Sequence, residues 1–140
     1  MSVTSEASTI WTGTLTEGSG TVTPASGIGT FGVDWKARSN GSDSTTTPEE
    51  LIAAAHSSCF GMAFSNALTE NGTPPEKINT TASVTFVPGT GVTGSHLNVS
   101  AVVPGLDDEK FQELANAAKA GCPISQALAG IDITIEATLD

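Results

Sequence analysis

"TPEELIAAAHSSCF", residues 47–60, decides how the rest of the chain is read. Thr47 offers a capping hydroxyl, Pro48 suits a first helical position, and Glu50, three residues after the cap, completes a capping box, so a helix starts here. From Glu49 to about Glu70 the text is apolar or small on almost every side. Leu51, Ile52, Ala55, Cys59, Met62 and Ala63 make one stripe, and Ala53, Phe60, Phe64 and Ala67 lie elsewhere. A helix without a wet face is a central one, and in a chain of 140 residues it also favours a dimer core.

Working outward, residues 7 to 36 are rich in Thr, Gly and β-branched side chains, with Gly18, Gly20, Gly27 and Gly29 as turn signals. That pattern predicts three short antiparallel strands. The polar stretch "SNGSDSTT", 39–46, reads as a loop before the helix. After the helix, "INTTASVTF" alternates at Ile78, Thr80, Ala82, Val84 and Phe86, and "SHLNVSAVV" alternates at Leu97, Val99, Ala101 and Val103. The two predict a hairpin with one buried face. "GLDDEKFQELANAAKAG", 105–121, carries acids early, lysines late and a terminal glycine, as a helix does. "CPISQAL" restarts as a short helix with Cys122 at its cap and Pro123 at its first position, and "IDITIEATL" alternates as a half-buried strand. The order is βββαββααβ, an α+β pattern in one domain spanning residues 1–140, because the helices do not alternate singly with strands.

Five cations (Lys36, Arg38, Lys77, Lys110 and Lys119) face fifteen carboxylates, a formal charge of -10, so a polyanion such as nucleic acid is repelled. The first residues, "MSVTSEASTIW", lack a basic region followed by an apolar one, and no run reaches the ~18 apolar residues of a bilayer span. The expectation is a soluble cytoplasmic protein without membrane or nucleic-acid partners. In a reducing compartment a structural disulfide does not persist, so two cysteines 63 positions apart are catalytic, metal-binding or inert.

Cys122, at a helix cap, has unpaired N–H groups and the positive end of a dipole to favour a thiolate. Cys59 lies about eleven residues inside its helix, where burial alone raises a thiol pKa, so it needs a cation if it is to react. The single arginine, Arg38 in "VDWKARSNG" at the end of the third strand, stays charged when desolvated and offers a fork of donors; Lys36 is its rival. Glu49 is the candidate carboxylate to aim it. Glu49 and Cys59 are ten residues apart, ~15 Å of helical rise, and so cannot share a site directly. Across a two-fold axis Glu49 of one chain can approach Cys59 of the other, which predicts a composite site with Arg38 and Glu49 contributed across an interface.

"TPEELIAAAHSSCF", "AGCPISQAL" at 120–128 and an arginine after an upstream strand resemble the osmotically inducible protein C and organic hydroperoxide resistance family, OsmC/Ohr, and its osmotically inducible branch in particular. The resemblance implies antiparallel sheets around a central helix in an intertwined homodimer. It also implies a thiol peroxidase without a cofactor or metal, reducing organic hydroperoxides to alcohols and hydrogen peroxide less well. By that similarity Cys59 is the peroxidatic thiol, Cys122 the resolving thiol that closes a Cys59–Cys122 disulfide, Arg38 the activating cation and Glu49 its orienting carboxylate. A dithiol, often lipoyl-type, is then the reductant. Apolar neighbours of Cys59, namely Ile52, Phe60 and Met62, suggest a pocket for an organic substrate. Two rival readings remain: a Cys2His2 metal module using His56, Cys59, His96 and Cys122, and a non-catalytic stress protein of the same fold with inert thiols.

Overall fold

The computed structural model describes all 140 residues, in the order β1 (Ala7–Thr12), β2 (Ser19–Pro24), β3 (Phe31–Val33), α1 (Trp35–Asn40), α2 (Pro48–Glu70), β4 (Lys77–Val87), β5 (Gly91–Val102), α3 (Asp108–Gly121), α4 (Pro123–Ala127) and β6 (Asp132–Leu139). This is the expected α+β order with one helix added. The chain divides into two compact units, residues 1–51 and 52–140, with the boundary inside α2.

In the first unit β1, β2 and β3 form an antiparallel sheet in sequence order. Gly20 is a strand residue rather than a turn residue. It pairs with Trp11 and with Val33, and a Cβ there would stand 2.8 Å from both the Ile10 carbonyl and the Trp11 ring. The added helix, α1, corrects the placement of Arg38 at a strand end. Asp34 caps it by accepting from the Ala37 N–H at 2.7 Å, and Gly41, with φ 87°, ends it. Six residues are too few to show a 3.6-residue period, which is why the pattern concealed it. Val22 and Ala37 are the buried apolar residues of this unit, while Ile10, Leu15 and Ile28 are exposed.

Helix α2 begins as its caps dictate: the Glu50 N–H donates to Thr47 Oγ1 at 3.0 Å. The Glu50 carboxylate, instead of returning to the cap backbone, accepts from the Thr46 hydroxyl at 2.6 Å. The helix is not buried all round. His56, Phe60, Phe64 and Leu68, spaced four apart, form its buried row, whereas Ala54, Ala55 and Met62 are exposed. By length and composition α2 also meets the description of a bilayer-crossing helix, contrary to the count of consecutive apolar residues, but its buried row carries a histidine and packs against the core of the second unit.

That core is made by β4, β5, β6, α3 and α4 together with α2. Strands β4 and β5 form the expected antiparallel hairpin, in register at Thr81↔Asn98, with an irregularity between Thr85 and Phe86. Strand β6 joins β5 in parallel, with Leu97 opposite Ile135, which departs from an all-antiparallel reading. The α3–α4 connection supplies the crossover that a parallel pair requires. Asp107 caps α3 by accepting from the Lys110 N–H at 2.8 Å, and Phe111, Ala115 and Ala118 turn inward. Phe60, Phe64 and Phe111 stack in tilted pairs, with ring centroids 5.5 and 5.3 Å apart, against Leu97, Val99 and Ala101 of β5. Cys122 belongs to this core cluster, and Cys59 packs on its edge.

Candidate active site

The structure brings the predicted site side chains together in two pairs. In the second unit the sulfurs of Cys59 and Cys122 stand 3.0 Å apart, although 63 residues separate them in the chain. Both are free thiols, Cys122 buried and Cys59 half-buried. Cys122 is the N-cap of α4 with Pro123 behind it, as expected. Either sulfur can donate across the gap. Burial alone would raise the Cys122 pKa, but Cys59 and the nearby polar groups of Ser125 and Ile124 outweigh that, so Cys122 lies below the ordinary thiol range. Cys59 is pushed above it, first by burial and then by holding the shared proton beside Cys122, with the Ile124 N–H a partial offset. Cys122 is therefore the more acidic of the two sulfurs.

The first unit holds Arg38 and Glu49 together. Arg38 Nη2 donates to Glu49 Oε1 at 2.8 Å, and Nε donates to Oε1 at 3.0 Å and to Oε2 at 3.3 Å. Glu49 is 5% exposed, and the Arg38 side chain keeps 34% of its surface open. Lys36, the rival cation, is exposed on α1. Beside the guanidinium lies an apolar concavity of about 300 Å3, walled by Trp11, Leu15, Val22, Trp35 and Leu51. Of the apolar residues read around Cys59, Phe60 is fully buried in the core and Met62 is 73% exposed, and neither lines this concavity. The aromatic signal for it lay in Trp11 and Trp35, on strand and helix segments far from the cysteine motifs in sequence.

His56 is a satisfied core histidine. It is fully buried, with Nδ1 2.7 Å from the Ser95 hydroxyl and Nε2 2.8 Å from the Ser125 hydroxyl. Desolvation lowers its pKa, which favours the neutral ring. His96 sits elsewhere, Nδ1 2.7 Å from Thr134 Oγ1, so the four residues of the metal reading do not converge, and no group of three or more His, Cys, Asp or Glu side chains is placed to hold an ion. Sequence reasoning passed over Ser95 and Ser125. The signal was present for one of them: Ser95 shares the inward parity of Leu97, Val99 and Ala101.

The chain thus brings two thiols into contact in one unit and sets an arginine on a buried carboxylate in the other. The family model described as OsmC-like protein matches residues 41–136, which include Glu49, Cys59 and Cys122 and begin just after Arg38. The chain is 40% identical over 130 residues to "Peroxiredoxin OsmC" of Escherichia coli (strain K12), with 90% of each chain covered. Among solved structures it resembles the organic hydroperoxide resistance protein OhrB of Bacillus subtilis, TM-score 0.67 at 27% identity over 94% of this chain and 97% of that one. It also shares the fold of an OsmC-like protein from Mycoplasma pneumoniae, TM-score 0.74 at 15% identity over 99% of both chains. The chain belongs to the OsmC-like family.

Proposed function

We propose that this protein is a thiol peroxidase that reduces organic hydroperoxides with electrons from a dithiol. The observation that carries the reading is the 3.0 Å contact between Cys59 and Cys122, one sulfur half-buried and the other enclosed. The relatives support it, being named a peroxiredoxin and an organic hydroperoxide resistance protein.

In this cycle the Cys59 thiolate attacks the outer peroxide oxygen, the O–O bond breaks, and the departing alkoxide takes a proton to leave as an alcohol. Cys59 becomes a sulfenic acid. Cys122 attacks its sulfur, water departs, and the Cys59–Cys122 disulfide protects Cys59 from further oxidation. An external dithiol, of lipoyl type by analogy with the family, reduces the disulfide by exchange and is itself oxidised to a cyclic disulfide. Such a donor is kept reduced in the cytoplasm, where we place the protein.

Because burial and Cys122 both hold the Cys59 proton in place, a cation must lower the cost of the thiolate. Arg38, plane-fixed by Glu49 and open on one side, has the chemistry to do this and to stabilise charge on the departing oxygen. The helical rise between Glu49 and Cys59, ~15 Å, favours an intertwined homodimer in which Arg38 of the partner subunit serves Cys59. The open apolar surface of the first unit supports that assembly, and the concavity beside Arg38 favours an alkyl or aryl peroxide over hydrogen peroxide.

Reduced protein treated with one equivalent of tert-butyl hydroperoxide tests the reading. A Cys59–Cys122 disulfide mapped by mass spectrometry within minutes is the expected result. Persistently free thiols, with the peroxide unconsumed, overturn it in favour of a non-catalytic protein of the same fold.

A further inference from the structure

A buried polar bridge stands at one end of the second unit's core. His56 opens the inward row of α2, whose later members Phe60, Phe64 and Leu68 are apolar, and Ser95 opens the inward row of β5 ahead of Leu97, Val99 and Ala101. His56 Nδ1 lies 2.7 Å from the Ser95 hydroxyl and Nε2 2.8 Å from the Ser125 hydroxyl of α4, so one imidazole ties three elements together. None of the three residues is more than 5% exposed.

Stability alone does not call for this bridge. Apolar side chains of similar shape at all three positions would fill the same space at little or no cost. What the hydrogen bonds add is direction, because a fully paired buried network fixes one arrangement of the elements it joins. Here the arrangement bears on the thiols. Cys59 follows His56 by three residues on α2, about 4.5 Å of rise, and Ser125 follows Cys122 by three residues. The His56–Ser125 bond and the 3.0 Å sulfur contact are thus two rungs between the same two segments. Little else holds α4 in place: Pro123, Gln126 and Ala127 are exposed, Ile124 is half-buried, and the Ser125 hydroxyl supplies its side-chain hydrogen bond to another element.

We propose that Ser95–His56–Ser125 is a positioning clamp that sets the effective concentration of Cys122 at Cys59, so that disulfide closure outruns a second oxidation of Cys59. The competition between those two steps rests on the peroxidase reading. In closure the Cys122 sulfur bonds the sulfur of the Cys59 sulfenic acid, the sulfur–oxygen bond breaks, and the hydroxyl leaves as water with the Cys122 proton. In the competing step a second hydroperoxide transfers one oxygen to the sulfenic acid, giving a sulfinic acid and an alcohol. Closure is unimolecular and depends on how the two sulfurs are held, where a displacement of about 1 Å can cost on the order of 100-fold. The second oxidation does not involve Cys122. Loosening the clamp therefore slows the first step and spares the second, and Cys59 is lost to sulfinic acid at lower hydroperoxide. Ser95 anchors the ring on β5 and Ser125 carries its hold to the Cys122 segment, so the two hydroxyls contribute unequally.

Equilibration with reduced and oxidised glutathione reads the effective concentration without any peroxide, since glutathione disulfide is reduced to two thiols as Cys59 and Cys122 are oxidised to theirs. Ser125→Ala, which removes one oxygen and cuts only the rung between α2 and α4, is expected to lower the equilibrium constant for the protein disulfide about tenfold, a rise in potential of about 30 mV. Ser95→Ala, which keeps that rung, is expected to lower it less than about threefold. His56→Leu removes both bonds and is expected to match or exceed Ser125→Ala, whereas His56→Gln, whose amide keeps a donor and an acceptor, recovers part of the loss. With dihydrolipoic acid as recycling reductant, the concentration of tert-butyl hydroperoxide that converts half of Cys59 to sulfinic acid is expected to fall in the same order. Equal shifts in Ser95→Ala and Ser125→Ala, the mark of a merely structural network, overturn the proposal. So does an unchanged constant in Ser125→Ala, or a wild-type protein that forms no disulfide at any glutathione ratio. The expected order of constants in a protein that consumes no peroxide would sink the peroxidase reading alone.

Discussion

Glu49 Oε1 accepts from both Nε and Nη2 of Arg38, so a single buried oxygen fixes the plane of the guanidinium. A lysine ammonium cannot reproduce that fork, and an amide in place of Glu49 keeps its shape but not its charge. Arg38→Lys is expected to lower kcat/KM for tert-butyl hydroperoxide by about 100-fold, and Glu49→Gln by about tenfold. Arg38→Ala, which leaves the carboxylate buried without its partner, is expected to cost about 1–3 kcal/mol in urea unfolding. Steady-state rates check the first two. A larger loss in Lys36→Arg than in Arg38→Lys would move the cation role to α1's exposed lysine.

The caps and the alternating strands were legible in the sequence because each rests on local chemistry. Thr47, Pro48 and Glu50 announced α2, Pro123 announced α4, and the inward parity of Leu97, Val99 and Ala101 announced β5. What stayed hidden depends on contacts distant in sequence. Nothing near Asp132 tells that β6 runs parallel to β5, and the inward row of α2 was misplaced because its neighbours are apolar too. His56 is a helical histidine with both ring nitrogens satisfied, but its partners lie 39 and 69 residues away. The thiol roles came from the family resemblance, while the cap of Cys122 and the mid-helix place of Cys59 bore on the acidity of each sulfur. The opposed pKa directions of the two sulfurs follow the same physics.

The two thiols are expected to fail differently when mutated. Cys59→Ser should abolish hydroperoxide consumption, since it removes the attacking sulfur. Cys122→Ser should consume about one equivalent and then stall, because the Cys59 sulfenic acid has no thiol with which to condense and proceeds to sulfinic acid under excess peroxide. Intact mass distinguishes the cases by the oxygen atoms added at Cys59. Equal residual turnover in both variants would remove the distinction between peroxidatic and resolving sulfur.

His56 makes stability depend on pH. Its folded pKa lies below the ordinary value of 6.5 because burial opposes the charged ring. Below about pH 6.5 the unfolded chain takes up a proton that the folded chain refuses, so this group's contribution is full above that pH and is lost as pH falls toward the folded pKa. Urea midpoints are expected to fall between pH 7 and 5 more steeply in the wild type than in His56→Gln, which does not titrate. His56→Ala is expected to cost about 2–4 kcal/mol at pH 7.5, through a cavity and two unpaired hydroxyls. Parallel pH slopes for the wild type and the glutamine variant would show that other groups govern the acid limb.

The first 51 residues bury only Val22 and Ala37 among apolar side chains. Ile10 and Ile28 are 72% and 74% exposed there, and Met62 on α2 is 73% exposed. Covering such side chains in a two-fold assembly removes the liability and fits an obligate interface of ~2,000 Å2 or more. Sedimentation equilibrium is expected to give twice the 14.1 kDa chain mass at micromolar concentration. Met62→Glu and Ile10→Glu, each placing a charge in an apolar contact, should raise the dissociation constant at least tenfold. If Arg38 of the partner subunit serves Cys59, dilution below the dimer dissociation constant also removes peroxidase activity. Activity per chain that stays constant through dissociation would place the whole site within a single chain.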